Sequence, residues 1–210
     1  LSLKRAIALV LFLVGFKLIW DNVGGAFAQV GKQLAIALLA LSVGNLVGAL
    51  LHFQHGANFL GRKAAERFNH ARTQNTASAS DAILTVSLLY ASNPIGIIGP
   101  IHEGLSGDWR ILLAKAALDG LATLGFVGIC GWPVILSGIA GLAYQSILWL
   151  AAHSLLLPYL PDRNLIDAIG VTSGFILISS ALVALDLRKV ALANFIPALF
   201  FAPLLTAWWR

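Results

Sequence analysis

The chain has no methionine, one cysteine and very little charge. Of its 210 residues only 11% are charged. A soluble domain carries about 25%, so this chain cannot cover a water-facing surface. The lone Cys130 excludes an internal disulfide and any multi-cysteine zinc centre. The sequence also lacks a Gly-x-Ser-x-Gly elbow, a phosphate-binding loop and a His-Glu-x-x-His pair. No catalytic residue, metal site or cofactor is therefore expected. The net charge of +5 is spread over loops without a basic stripe, so nucleic acid is not an expected partner. The absence of Met, in a chain that starts at Leu1, gives the expectation of an N-terminally trimmed piece or of modified residues left out of the sequence.

What is abundant is apolar surface. Hydrophobic residues make up 59% of the chain, and the mean hydropathy is +0.85. These values describe an integral membrane protein whose first partner is the lipid bilayer. A helix needs about 20 apolar residues to cross the hydrocarbon core. Such runs fall at 5–20, 33–53, 82–105, 111–129, 132–157, 168–186 and 190–208. The expected fold is an all-α polytopic bundle of about seven helices, forming a single transmembrane domain over residues 1–210. A homo-oligomer is compatible with it.

One water-exposed loop of any size is expected, from His52 to Asp81, with its core at about 54–81. Phe59, Leu60, Ala64 and Phe68 recur there at helical spacing, which suggests an amphipathic helix on the membrane surface. The stretch Thr73–Ser80 reads as a flexible polar tail. If seven helices alternate, eight Lys and Arg residues lie on the side of this loop and four on the other. The positive-inside rule then makes loop 54–81 cytoplasmic. Lys17, three residues before Trp20, is expected to snorkel to the interface, and Lys115 could do the same.

Two stretches repeat each other across the chain. Residues 45–51 read Asn-Leu-Val-Gly-Ala-Leu-Leu, and residues 194–200 read Asn-Phe-Ile-Pro-Ala-Leu-Phe. Asn45 aligns with Asn194, and Gly48 with Pro197. Paired apolar segments interrupted by Gly or Pro point to a transport site between repeats. The first two segments would correspond to the last two. Their offset of five helices is odd, so the repeats should be inverted, with the helices of Asn45 and Asn194 running in opposite directions.

Ionisable groups at membrane depth are costly and therefore functional candidates. Asp119 lies mid-segment, four residues after Lys115 and on the same helical face. It reads either as a site or as half of a structural Lys–Asp lock. Asn45, Asn93, Gln145 and Asn194 could line a hydrated cavity with it, or act as interhelical hydrogen-bond locks. The third segment contains Pro94 and Pro100 among several glycines, which predicts a broken helix between Asn93 and Pro100. Its freed carbonyls should face protein or a cavity, never lipid. Pro94, Pro100, Gly48 and Pro197 are thus the candidate helix breaks. His102, Glu103 and Asp108 follow the third segment, with Asp108 placed to cap the next helix. Glu103 is a candidate cavity-mouth carboxylate.

Residues 93–120 contain a Gly/Pro break, a Glu103-Gly-Leu-Ser-Gly-Asp108 turn and Lys115-x-x-x-Asp119-Gly120. Together with Tyr144-Gln145 and Val190-Ala-Leu-Ala-Asn-Phe-Ile-Pro197-Ala, this pattern resembles the bacterial YdfK/YqgA-like membrane family, catalogued as domain of unknown function 554. The resemblance covers nearly the whole chain from about residue 5. Two differences stand out. Family members usually carry another hydrophobic segment upstream, and His102-Glu103 stands where they more often have other polar residues. The resemblance implies a multi-pass bacterial inner-membrane protein and names no substrate.

The residues themselves therefore carry the functional expectation, which is a transport or channel protein for a small solute or ion. The alternatives are an intramembrane enzyme acting through Glu103, His102 and Asp108, and a structural membrane protein without a pathway. A polar cavity reaching Asp119 would favour transport. A surface cleft converging on Glu103 and His102 would favour the enzyme. A dry Asn45/Asn194 interface would favour the structural protein.

Overall fold

The computed structural model describes residues 3–25, 27–74, 79–160 and 162–209. Among these, every regular element is helical. In chain order they are α1 (Leu3–Asn22), α2 (Phe27–Leu50), α3 (Phe53–Gln74), α4 (Ala79–Ser92), α5 (Ile95–Ser106), α6 (Arg110–Cys130), α7 (Ser137–Ala151), α8 (Arg163–Ala184) and α9 (Ala198–Trp208). Tight helical turns at Trp132–Leu136 and Leu192–Phe195 lead into α7 and α9. Each of the seven expected segments has its counterpart. The first is α1, whose 20 residues match the roughly 30 Å hydrocarbon core at 1.5 Å per residue. The third is α4 and α5 together, bent by 63°. The seventh, Leu192–Trp208, is shorter than the others.

The loop expected after His52 is largely helical. A left-handed residue at His52 (φ 58°) separates α2 from α3, which runs for 22 residues. The helix buries Ala64 against α4 and leaves Phe59 and Lys63 outside, with the Lys63 ammonium 4.8 Å from the Phe59 ring centre. Of the expected flexible tail, residues 75–78 lie outside the described residues, and Thr73 and Gln74 end α3.

Contacts at the helix ends sort the chain onto two faces. Lys4 pairs with Asp186 at 2.6 Å, and the Gln54 N–H donates to Asn194 Oδ1 at 3.0 Å. These contacts gather the N-terminus of α1, the C-termini of α2 and α8, and the start of the last apolar unit. On the opposite face Arg110 pairs with Asp21, and Lys32 donates to the Trp209 carbonyl. Lys17 reaches this face by pairing with Asp21 at 2.6 Å, as its snorkelling position requires. Among the described residues, Gln29–Leu50, Arg110–Cys130, Trp132–Tyr159 and Arg163–Ala184 are each long and apolar enough to cross a membrane, and the bent pair α4–α5 makes a fifth candidate span.

The core is built on glycine. A Cβ at Gly15 would lie 2.7 Å from the Gly174 carbonyl oxygen, and one at Gly174 would lie 2.6 Å from the Gly15 carbonyl oxygen. Ile178 crowds Gly15 as Ile19 crowds Gly174. The same separation carries Gly15-Phe16 onto Gly174-Phe175 and Ile19 onto Ile178. The α1–α8 contact is thus locally two-fold, with the helices antiparallel. The second pair is antiparallel too: Gly44 meets Ala198, and Gly48 meets Asn194.

The helices of Asn45 and Asn194 therefore run in opposite directions. The two matched stretches are not equivalent positions, however. Asn45 lies near the end of α2, while Asn194 precedes α9, so the stretches meet face to face. The packing around the two pairs also differs. α8 touches α1, α2, α5 and α9, whereas α1 packs on α8 and α6.

Close approach of this kind tolerates no side chain. Gly174→Ala and Gly48→Ala are each expected to lower stability by ~1–3 kcal/mol through overpacking. Gly128→Ala, with open space around its Cβ, is expected to be neutral or to stabilise by up to ~1 kcal/mol through helix propensity. Thermal unfolding of the purified protein in detergent separates the two groups. Equal shifts in all three variants would refute this account.

Candidate functional site

Pro94 is where the third span breaks. It has no N–H, so the carbonyl of Tyr90 loses its helical donor and keeps only a long 3.4 Å contact from the Asn93 N–H. The Asn93 side chain then starts α5, its Oδ1 accepting the Ile95 N–H at 3.1 Å. Pro100 does not break a helix. It sits inside α5, where it removes the donor that the Gly96 carbonyl would otherwise have. Gly48 is likewise within α2, where its role is close packing. Pro197 stands at the junction between the turn Leu192–Phe195 and α9.

The two carbonyls freed by Pro94 and Pro100 belong to residues that border Lys115. The Lys115 ammonium lies 5.3 Å from the Tyr90 ring centre, a cation–π distance. A Cβ at Gly96 would sit 3.3 Å from Lys115 Cε and equally close to the Tyr90 carbonyl oxygen. A side chain there would press on the lysine stem and the Tyr90 carbonyl. Lys115 does not snorkel. Its side chain is 1% exposed, and its ammonium pairs with the Asp119 carboxylate, which is 24% exposed. Burial in apolar surroundings would leave either charge unsolvated alone, so the pair is held together.

A second set of bonds fixes the same turn of α6. The Tyr90 hydroxyl donates to the Asp119 carbonyl at 3.0 Å, and the Thr123 hydroxyl donates to that carbonyl at 2.7 Å. The two hydroxyls also touch each other. The α4–α5 break, Lys115 and Asp119 thus form one connected polar unit near the midpoint of α6.

The other candidates fall elsewhere. Asn194 is buried and clamped, with its Oδ1 on the Gln54 N–H while Gln54 Oε1 accepts the Ala193 N–H at 3.0 Å. Asn45 is exposed on the outer side of α2. α2 packs on α8 and the last apolar unit rather than on α6, so neither asparagine joins Asp119. Gln145 is half-buried on α7, which packs chiefly on α4 and α5.

Glu103 is half-buried near the end of α5, and the adjacent His102 points inward, 1% exposed. Neither ring nitrogen of His102 has a hydrogen-bond partner among the described residues. Asp108 accepts the Arg110 N–H at 3.0 Å and so caps the start of α6. Among the described residues no group of three or more His, Cys, Asp or Glu side chains could hold a metal ion.

The sequence reading missed Tyr90, Gly96 and Thr123. Thr123, four residues after Asp119, had a helical-spacing signal. Tyr90 and Gly96 lie on other helices, and no local pattern connects them to Lys115.

Comparison with known proteins agrees with this architecture. The family described as a protein of unknown function, DUF554, matches residues 2–207. The chain belongs to the DUF554 family. Among similar proteins, the uncharacterized membrane protein YdfK of Bacillus subtilis (strain 168) is 23% identical over 172 residues, covering 82% of this chain and 70% of YdfK. The uncharacterized protein YqgA of Escherichia coli (strain K12) is 30% identical over 179 residues, covering 84% of this chain and 75% of YqgA. No solved structure matches. The DUF554 membership and the apolar helices establish a membrane protein.

The hydroxyl triangle gives a direct test. Tyr90→Phe keeps the ring beside Lys115 and removes one donor, at an expected cost of ~1 kcal/mol. Thr123→Val should cost about as much. The double variant should lose less than the sum, because both hydroxyls serve one carbonyl. Additive losses in thermal unfolding would show that the two act separately.

Proposed function

We propose that this protein moves a small ion or solute across the bacterial inner membrane, and that Lys115 and Asp119 carry the charge-sensitive step. The observation behind this reading is a fully buried lysine and its carboxylate partner on α6, with Tyr90 and Gly96 of the broken α4–α5 span packed against the lysine. Broken helices with freed backbone groups suit ion or solute coordination. Intramembrane ionisable groups mark pathways and proton relays. The antiparallel helix pairs α1–α8 and α2–α9 are of the kind used in alternating access.

The enzymatic alternative has less support. His102 and Glu103 are neighbours on a helix, so they point about 100° apart. His102 faces the core, and Asp108 is used as a cap on the start of α6. The structural alternative has a specific observation in its favour, the close packing of Gly48 on the Asn194 backbone together with the Gln54 clamp.

Flux measurements in proteoliposomes decide between transport and lock. Asp119→Asn should abolish flux in a protein that remains folded and inserted. It should also strand the Lys115 ammonium, at a cost of ~3–5 kcal/mol. Adding Lys115→Gln should restore most of that stability without restoring flux. Normal flux in the destabilised single variant would leave only the structural lock.

The helical spans suit the inner membrane, and the eight-base side, which includes α3, is assigned to the cytoplasm. With Cys130 replaced by Ser, an Arg62→Cys label site should resist a membrane-impermeant maleimide in intact cells and react once the membrane is permeabilised. Labelling in intact cells would invert the orientation.

A further inference from the structure

A cavity of about 390 Å³ opens at the membrane face that holds the C-termini of α1 and α9. Its walls come from both antiparallel pairs. α2 supplies Lys32, Gln33 and Ile36, and α8 supplies Asn164, Asp167 and Val171. The polar groups lie within the first turns of their helices. Ile36 and Val171 lie one helical turn, about 6 Å, further in at 1.5 Å per residue, and both are buried. The cavity is therefore polar at its mouth and aliphatic at its floor.

Its charges are one of each sign, on different helices. The Lys32 ammonium is held at the mouth by the Trp209 carbonyl. The Asp167 carboxylate is three-quarters covered, and its partner Arg163 lies 3.7 Å away with its own side chain 91% exposed. Such a solvated partner binds weakly, so a ligand cation could displace it at little cost. Gln33 Oε1 accepts the Gly24 N–H at 3.1 Å, which leaves its NH₂ group to donate. A purely anionic ligand would confront Asp167, and a purely cationic one would confront Lys32. The volume lies near the lower end of small-molecule pockets, about 300–1,000 Å³.

We propose that this cavity binds a zwitterionic amino acid with a short aliphatic side chain. Its carboxylate would lie toward Lys32 and the Gln33 amide, its ammonium toward Asp167, and its side chain on Ile36 and Val171. The inference rests on the transport reading only in treating the ligand as cargo.

The test uses the full chain in detergent and equilibrium binding by calorimetry. L-leucine is compared with 4-methylpentanoate, which keeps the carboxylate, and with 3-methylbutylamine, which keeps the ammonium. Leucine should bind saturably and at least tenfold more tightly than either analogue. Asp167→Asn should weaken leucine at least tenfold while leaving 4-methylpentanoate unchanged or improved, and Lys32→Gln should do the same with the amine. Absence of leucine binding, or analogues that bind as well as leucine, overturns the proposal, and that comparison needs no variant. Leucine binding without any flux would leave this inference standing and defeat the transport reading. Ion flux that depends on Asp119, without leucine binding, would defeat this inference alone.

Discussion

Backbone-to-backbone contact at glycine is the constraint on which the arrangement depends. Lipid tails are as apolar as leucine, so helices in a bilayer gain little from hiding apolar surface in each other. They associate where main chains can approach closely and many weak contacts accumulate. Gly15 and Gly174 allow this for α1 and α8, and Gly44 and Gly48 allow it for α2 and the last apolar unit. α8 is consequently the hub, with 56% of its most apolar window buried against 17% for α6. The surplus of exposed leucine and isoleucine on α6 and α7 is the surface owed to lipid.

Once the helices are fixed at that spacing, the polar groups must find partners among themselves. At the two faces they do so in short bridges, Lys4 with Asp186 and Arg110 with Asp21, where water remains available. At depth the solution is different. Lys115 and Asp119 pair with each other, and the hydroxyls of Tyr90 and Thr123 close over the Asp119 carbonyl. Tyr90 and Gly96, on either side of the break at Pro94, both border the buried Lys115 side chain. The broken helix and the buried charge are therefore one feature.

Much of this was legible in the residues. The seven apolar runs each have a helical counterpart because the length of a spanning helix is dictated by bilayer thickness, a local property. The break at Pro94 was legible because proline acts on its own backbone. The antiparallel sense of α2 and the last unit was legible from their odd offset of five apolar segments. The Asn45/Asn194 likeness misled in one respect, since similar heptapeptides need not be equivalent positions. It is Gly15-Phe16 and Gly174-Phe175 that share a place in their helices.

Sequence by itself determined that this is an all-helical membrane protein, where its apolar helices lie and where the third one bends. Each of those follows from hydropathy, length or a residue's own backbone chemistry. Tertiary structure alone decided that Lys115 is buried rather than snorkelling, that Asn194 is a clamp while Asn45 faces outward, and that Lys32 and Asp167 share a cavity. Those outcomes depend on which face of one helix meets which face of another. In a bilayer that choice is made by close packing between residues far apart in the chain.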